Sequence, residues 1–255
     1  MPKKFPFQAD QKGADTRRAK FDERRRTLVV RRSESGERNE VDGPFSAACQ
    51  LVMEVVLLRH GATDWNLQGR CQGATDLALN ETGVRQAESI AARLSREKIA
   101  AVYSSNLKRA QQTAEFVGRP HSLSINIEED IRELDHGVLE GLTFNDIKEN
   151  FPEFIQRWRT EPAEIQVPGG EKLADVAHRA WNGLHRIVQQ HQSGETIVVV
   201  SHNFPILGVL CRITGIHLNR YRTFHLDPCG VTRLNRSSNG DWSITQINNK
   251  NYIPD

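Results

Sequence analysis

At 255 residues, 38% hydrophobic and 26% charged, the chain has material for one well-buried domain, alone or with a tail. A formal net charge of +2 gives no global field to attract nucleic acid or a membrane surface, and no apolar run reaches the roughly 20 residues that span a bilayer. Cys49, Cys71, Cys211 and Cys229 form no CxxC pair and have no histidine at zinc-ligand spacing, so neither a disulfide framework nor a metal or other cofactor is expected; with no signal peptide visible, a reducing cytoplasm is the expected location.

Residues 1–50 are dense in both charge signs and poor in apolar periodicity, which predicts a largely disordered tail. Its run Arg24 to Arg26 is offset by Asp22, Glu23, Glu34, Glu37 and Glu40, acids that count against a transit peptide. Met53 opens "MEVVLLRHG", so a natural start there, after an over-long gene start, is the alternative to a tail. The domain is taken as residues 51–255. Within it "EVVLLR" reads as a strand, and "ETGVRQAESIAARLSR" as a helix with Val84, Ala87, Ala91 and Leu94 on one face and Asn80 or Thr82 as its cap.

The strand "AAVYSS" leads to the helix "LKRAQQTAEFVG", which stops at Gly118 before Pro120. A short strand over Ser124 to Ile127 and the Gly-spaced loop "IRELDHGVLEGLT" precede a helical stretch, "FNDIKENFPEFIQRW", that Pro152 interrupts. After "PGG" the periodicity of Leu173, Val176, Ala180, Leu184, Ile187 and Val188 predicts a long helix with a buried stripe. The most apolar strand, "TIVVVSH", follows, then a helix from Pro205 to about Ile213, and a hairpin turning at Asn239-Gly240. Strands alternating with helices predict an α/β fold, a three-layer α/β/α sandwich around a mostly parallel sheet.

Two of these strands end alike: "VVLLRH" delivers His60 at its exit and "IVVVSH" delivers His202. In open α/β sheets ligands bind beyond the carboxyl ends of the strands, which makes the two histidines candidates for one site. Taken in order, "LLRHGATDWN", "GRCQGATDLALNETGVRQA", "YSSNLKRAQQTA", "RELDHGVLEG", "PGGEKL" and "VVVSHN" resemble the histidine phosphatase superfamily, in the branch similar to cofactor-dependent phosphoglycerate mutase. The likeness covers Val52 to Ile247 and implies a phosphoglycerate mutase-like fold. It also implies that His60 accepts the phosphoryl group, that Arg59, Arg109 and His202 clasp its oxygens, and that Glu133 is the proton donor. Asn66 and Arg70 fall on positions around the phosphate pocket, and Gln72 and Gly73 on a segment that approaches the substrate.

These residue types suit that chemistry. A phosphate monoester carries about two negative charges near neutral pH and repels a nucleophile until cations neutralise its oxygens. Two guanidiniums do so without a metal, because arginine stays protonated and its planar fork matches phosphate. Gly61, lacking a Cβ, is expected to let the backbone approach the phosphate. On local grounds alone Arg109 conflicts with the dipole of the helix it opens, a conflict that a bound anion removes. Glu171 suits either a substrate contact or the first turn of a helix, and His121, His136, His178, His185, His191, His217 and His225 read as surface or packing residues.

Mutases of the family carry Glu-Arg-His-Tyr-Gly at the proton donor; here the string is Glu133-Leu134-Asp135-His136-Gly137, and a longer basic insertion before the second histidine is also missing. Hydrolysis of small phosphate esters is therefore expected. Phosphoglycerate mutase and a non-catalytic binding protein are the alternatives, and nucleic-acid binding by the tail would be strongly salt-dependent and lost with residues 1–52. Ala62 stands where many relatives have Glu or Gln. Asn203 replaces a frequent Gly and, with Phe204, is placed to narrow the pocket. Leu139 to Pro168 is expected to form the rim, with Phe144, Phe151, Phe154 and Trp158 assigned to the core by their spacing. An exposed edge strand would permit a homodimer.

Overall fold

The computed structural model describes residues 20–22, 27–29 and 52–251. In chain order the elements are β1 (Lys20–Asp22), β2 (Thr27–Val29), β3 (Met53–Arg59), α1 (Asp64–Leu67), α2 (Glu81–Leu94), β4 (Ala101–Ser104), α3 (Lys108–Gly118), β5 (Ile125–Ile127), α4 (Phe144–Asn150), α5 (Pro152–Thr160), α6 (Leu173–Gln189), β6 (Thr196–Ser201), α7 (Asn203–Thr214), β7 (Val231–Arg236) and β8 (Trp242–Asn249). They build one sheet in the order β1-β2-β8-β7-β3-β6-β4-β5. From β3 to β5 every pairing is parallel, and the β7–β8 hairpin adds an antiparallel side. The expected sandwich around a mostly parallel sheet is the fold observed. Disorder was expected over residues 1–50, most of which lie outside the described residues. Within them β1 and β2 extend the hairpin side, with Leu28 opposite Ile244.

Successive residues of the central strands take opposite faces. Val55, Leu57, Ile197 and Val199 join a core with α6 and α7, whereas Val56, Leu58, Val198 and Val200 join a second core with α2 and α3. Covering on both sides is why these strands read as unbroken apolar runs. All eight side chains are at most 3% exposed, each burial contributing about 2 kcal/mol before chain entropy is counted.

Local chemistry sets the helix boundaries. Asn80, not Thr82, caps α2 by accepting from the Gly83 N–H. Ala87, Ala91 and Leu94 of the predicted stripe are buried and Ile90 joins them, while Val84 is only half-buried. Pro152 divides α4 from α5, because it has no N–H to continue the ladder. Helix α7 begins two residues earlier than expected, at Asn203, directly after His202. No helix among the described residues is long and apolar enough to cross a membrane.

Candidate active site

Strands β3 and β6 run parallel with Arg59 opposite Ser201, so the residue following each emerges at the same carboxyl edge. Those residues are His60 and His202, with ring centroids 5.0 Å apart and almost no exposure. The Nδ1 of His60 lies 2.7 Å from the Gly61 carbonyl oxygen. A carbonyl only accepts, so Nδ1 carries the proton and Nε2 presents its lone pair. Burial and the nearby Arg109 and Arg59 hold the His60 pKa well below its ordinary 6.5, keeping the ring neutral. His202 Nε2 lies 2.6 Å from the Ser105 hydroxyl, and burial, Arg109, His60 and Arg59 hold its pKa down too.

Arg109 is the second residue of α3 and is fully buried. Its Nη1 and Nη2 donate to the carbonyls of Thr75 and Gly73 at 3.0 and 2.8 Å. Burial lowers its pKa to about 10, which leaves it a cation at neutral pH. Arg59 donates from Nη1 to the Leu226 carbonyl at 2.6 Å. Among the described residues, Arg59 Nε, Arg109 Nε, Gln72 Nε2 and His202 Nδ1 are buried nitrogens without a hydrogen-bond partner. Buried donors of this kind are costly unless they serve a ligand. Arg59, Arg109 and Gln72 each offer such a donor, and His202 Nδ1 is a fourth when the Ser105 hydroxyl donates to Nε2; beside a neutral imidazole this arrangement suits an anion.

Glu133 enters from the loop after β5 and is 5% exposed. Its Oε1 accepts from the Leu134 and Phe204 N–H groups at 2.9 and 3.1 Å, and its Oε2 from the Asn203 N–H at 3.0 Å. The carboxyl group therefore sits on the first turn of α7. Burial raises its pKa, outweighing the opposing pull of the Leu134 amide, Arg109, Arg59 and the Phe204 amide. It is suited to hold a proton and to lose it.

The remaining predicted residues divide into two groups. Asn66, Arg70, Gln72 and Asn203 line a cavity of about 440 Å³ that reaches Arg59 and Glu133. The Asn66 Oδ1 accepts from the Thr63 N–H, and the Thr63 hydroxyl donates to Gln72 Oε1 at 2.7 Å, which fixes both amides. Asn203 also serves through its backbone N–H to Glu133. Gly73 does not line the cavity: it holds Arg109 through its carbonyl, and a Cβ there would meet the Leu134 and His136 backbone. The expectation for Gly61 needs the same correction. A Cβ on it would lie 2.6 Å from the Gly83 carbonyl oxygen, so its small size serves the approach of α2.

Several residues around the candidate site escape sequence reasoning. His136, read as surface or packing, lines the cavity beside Phe204, and burial takes its pKa to about 4. Glu140 accepts from the Ala74 and Thr75 N–H groups at 2.5 and 2.7 Å and so fastens the loop whose carbonyls hold Arg109. Phe144, Phe154 and Trp158, assigned to the core by spacing, form cavity wall together with Ile147, Phe204 and Tyr221; Phe151 packs against the core without reaching the cavity. Arg222 and His225 stand at its mouth, and Cys71 lies on its wall, where burial pushes the thiol up to about 12 and so disfavours the thiolate. Glu171 touches no part of the cavity and pairs with Arg132 and Arg179.

Comparison with known proteins identifies the family. The family model of the histidine phosphatase superfamily (branch 1) matches residues 55–250. "Phosphoserine phosphatase 1" of Hydrogenobacter thermophilus is 36% identical over 176 residues, 69% of this chain and 83% of that protein. "Metal-independent phosphoserine phosphatase" of Arabidopsis thaliana is 39% identical over 166 residues, 64% of this chain and 69% of that protein. Among solved structures, YhfR of Bacillus stearothermophilus superposes with a TM-score of 0.75 at 28% identity, covering 79% of this chain and all of that one.

Proposed function

This chain belongs to the histidine phosphatase superfamily, and on that premise we propose that it hydrolyses small phosphate monoesters without a metal ion, through a phosphohistidine on His60. The observation that carries the reading is the set of four buried, unpartnered nitrogens on Arg59, Arg109, Gln72 and His202 beside a neutral His60. His60 Nε2 attacks phosphorus, and the N–P bond forms as the P–O ester bond breaks. Glu133 gives its proton to the departing oxygen, so the alcohol leaves neutral. The ionised Glu133 then takes a proton from water as that water attacks phosphorus. The N–P electron pair returns to Nε2, and inorganic phosphate is released. Arg59 and Arg109 neutralise the oxygens in both steps, and the neutral His202 contributes a hydrogen bond to them.

The wall beyond Glu133 supports hydrolysis over a mutase reaction. Its cationic side chains, Arg70 and Arg222, stand at the mouth with His225, and between them and Glu133 the wall is mainly apolar and aromatic with the uncharged Asn66, Gln72, His136 and Asn203, a poor environment for a second phosphate that must be retained. Phosphoserine, named for two relatives, is the first ester to offer the enzyme. The test is phosphate release from phosphoserine and an aryl phosphate in the presence of chelator, comparing wild type with His60→Ala. Turnover that survives chelator and falls by at least about 10⁴-fold in the variant supports the mechanism. Activity retained by His60→Ala would end it.

A further inference from the structure

Resting on the assignment of Glu133 as proton donor, we propose that Arg179 and Glu171 form a clamp that positions Glu133 without touching substrate. Arg179, on α6, is only 12% exposed. A guanidinium has five N–H groups, and all five are used. Nε and one Nη2 proton go to Glu171 Oε1 and Oε2, at 3.0 and 2.8 Å. Nη1 donates to the Asp130 and Arg132 carbonyls at 2.8 and 2.6 Å, and Nη2 to the carbonyl of Glu133 itself at 2.8 Å. No donor remains for a ligand, so the residue acts only through the loop it holds.

Glu171 grips the other side of the same residue. Its Oε2 accepts from the Asp135 N–H at 3.0 Å, so the pair fastens the backbone before, at and after Glu133. The backbone Glu171 N–H also donates to the Asp135 carbonyl at 2.9 Å. Gly170 is pressed against the loop, where a Cβ would collide with that carbonyl. The "PGGE" motif is thus explained by the proton donor's loop, although it lies far from it in sequence. The planar fork also dictates the residue type, since a lysine offers three donors from one point and cannot reach three carbonyls and a carboxylate together.

The test separates positioning from folding by the leaving group. An alkoxide needs the proton from Glu133, whereas p-nitrophenolate departs unaided. Because kcat/KM reports formation of the phosphoenzyme, a misplaced donor lowers it for phosphoserine and spares it for p-nitrophenyl phosphate. Arg179→Lys and Arg179→Ala are expected to lose about 10–100-fold on phosphoserine and less than about threefold on the aryl ester, with Glu171→Gln intermediate. The lysine and glutamine variants, with melting temperatures measured, cover the case in which Arg179→Ala does not fold. Equal losses on both esters, or none on either, would overturn the clamp. Glu133→Gln distinguishes the underlying assignment: if it discriminates between the esters and the clamp variants do not, the clamp alone falls; if it does not discriminate, both fall together.

Discussion

The inner and outer ends of the cavity are built on opposite plans. At the inner end Arg59 lines the cavity, with His60, His202 and Arg109 buried beside it; the four sit at strand exits or a helix start, are held by hydrogen bonds, and bring charge or lone pairs to a buried site. At the outer end, α4, α5 and the segment around Tyr221 present rings that meet one another. Phe154 stacks on Trp158 at 5.4 Å, and Phe204 packs edge-on against Trp158 and Tyr221 at 6.0 and 5.5 Å. The difference teaches where each property resides. In the proposed reaction the phosphoryl group would be gripped by parts that the sheet itself fixes, while the leaving group would meet a wall whose side chains can change without disturbing those parts.

Removing an inner cation should break this division most severely. Arg109→Ala is expected to lower kcat/KM about 10²–10³-fold on alkyl and aryl esters alike, because both present the same phosphoryl group. Steady-state kinetics on the two esters reads this out. Denaturant unfolding should also show a loss of about 1–3 kcal/mol, since the buried Gly73 and Thr75 carbonyls lose their donor.

The pH profile sharpens the comparison within the inner end. In the proposed mechanism Glu133 is protonated for the first step, and its pKa is raised, so kcat/KM on phosphoserine should fall about tenfold per pH unit once pH exceeds that raised value. The aryl ester should lack this limb. Stability moves the other way. His60, His202 and His136 are held below 6.5 by burial, so the unfolded chain takes up protons that the native state refuses as pH falls below 6.5. For His136 the window runs from 6.5 to about 4, with a loss of about 1.4 kcal/mol per pH unit, measurable by denaturation at pH 7 and pH 5.

The smallest effect belongs to the wall. Phe144 is 56% exposed, so Phe144→Ala should change stability by less than about 0.5 kcal/mol. Its KM for an aryl phosphate should rise about 2–5-fold with kcat unchanged, the pattern of lost uniform binding. A fall in kcat instead would show that the wall takes part in chemistry.

What the sequence made legible follows this same division. Apolar runs ending in "RH" and "SH" mark strand exits, and a parallel pairing brings such exits together, so His60 and His202 could be matched across the chain. Glu133 and Arg109 needed the family resemblance, because locally they are an acid among acids and a cation at the wrong end of a helix. The choice between core and wall stayed open for a physical reason, and of the four rings only Phe144 fails as core: helical periodicity reports which face is apolar, and a face turned to an apolar cavity has the same pattern as one turned to the core. Phe154 and Trp158 do both. His136, Glu140 and Arg179 left no local signal, since their partners are loop groups distant in sequence, brought near only by the fold.

The position of β6 carries a consequence for how the enzyme comes into being. It lies between β3 and β4, yet it is made after both. A chain emerging from the ribosome therefore holds two strands destined for opposite sides of a gap, each with an open edge, until residues 196–201 arrive to fill it. His202 follows those residues directly, so the insertion that closes the sheet also delivers the second histidine. The non-local pairing that completes the central sheet is therefore expected also to complete the candidate site, so that the fold and the proposed chemistry would arrive together.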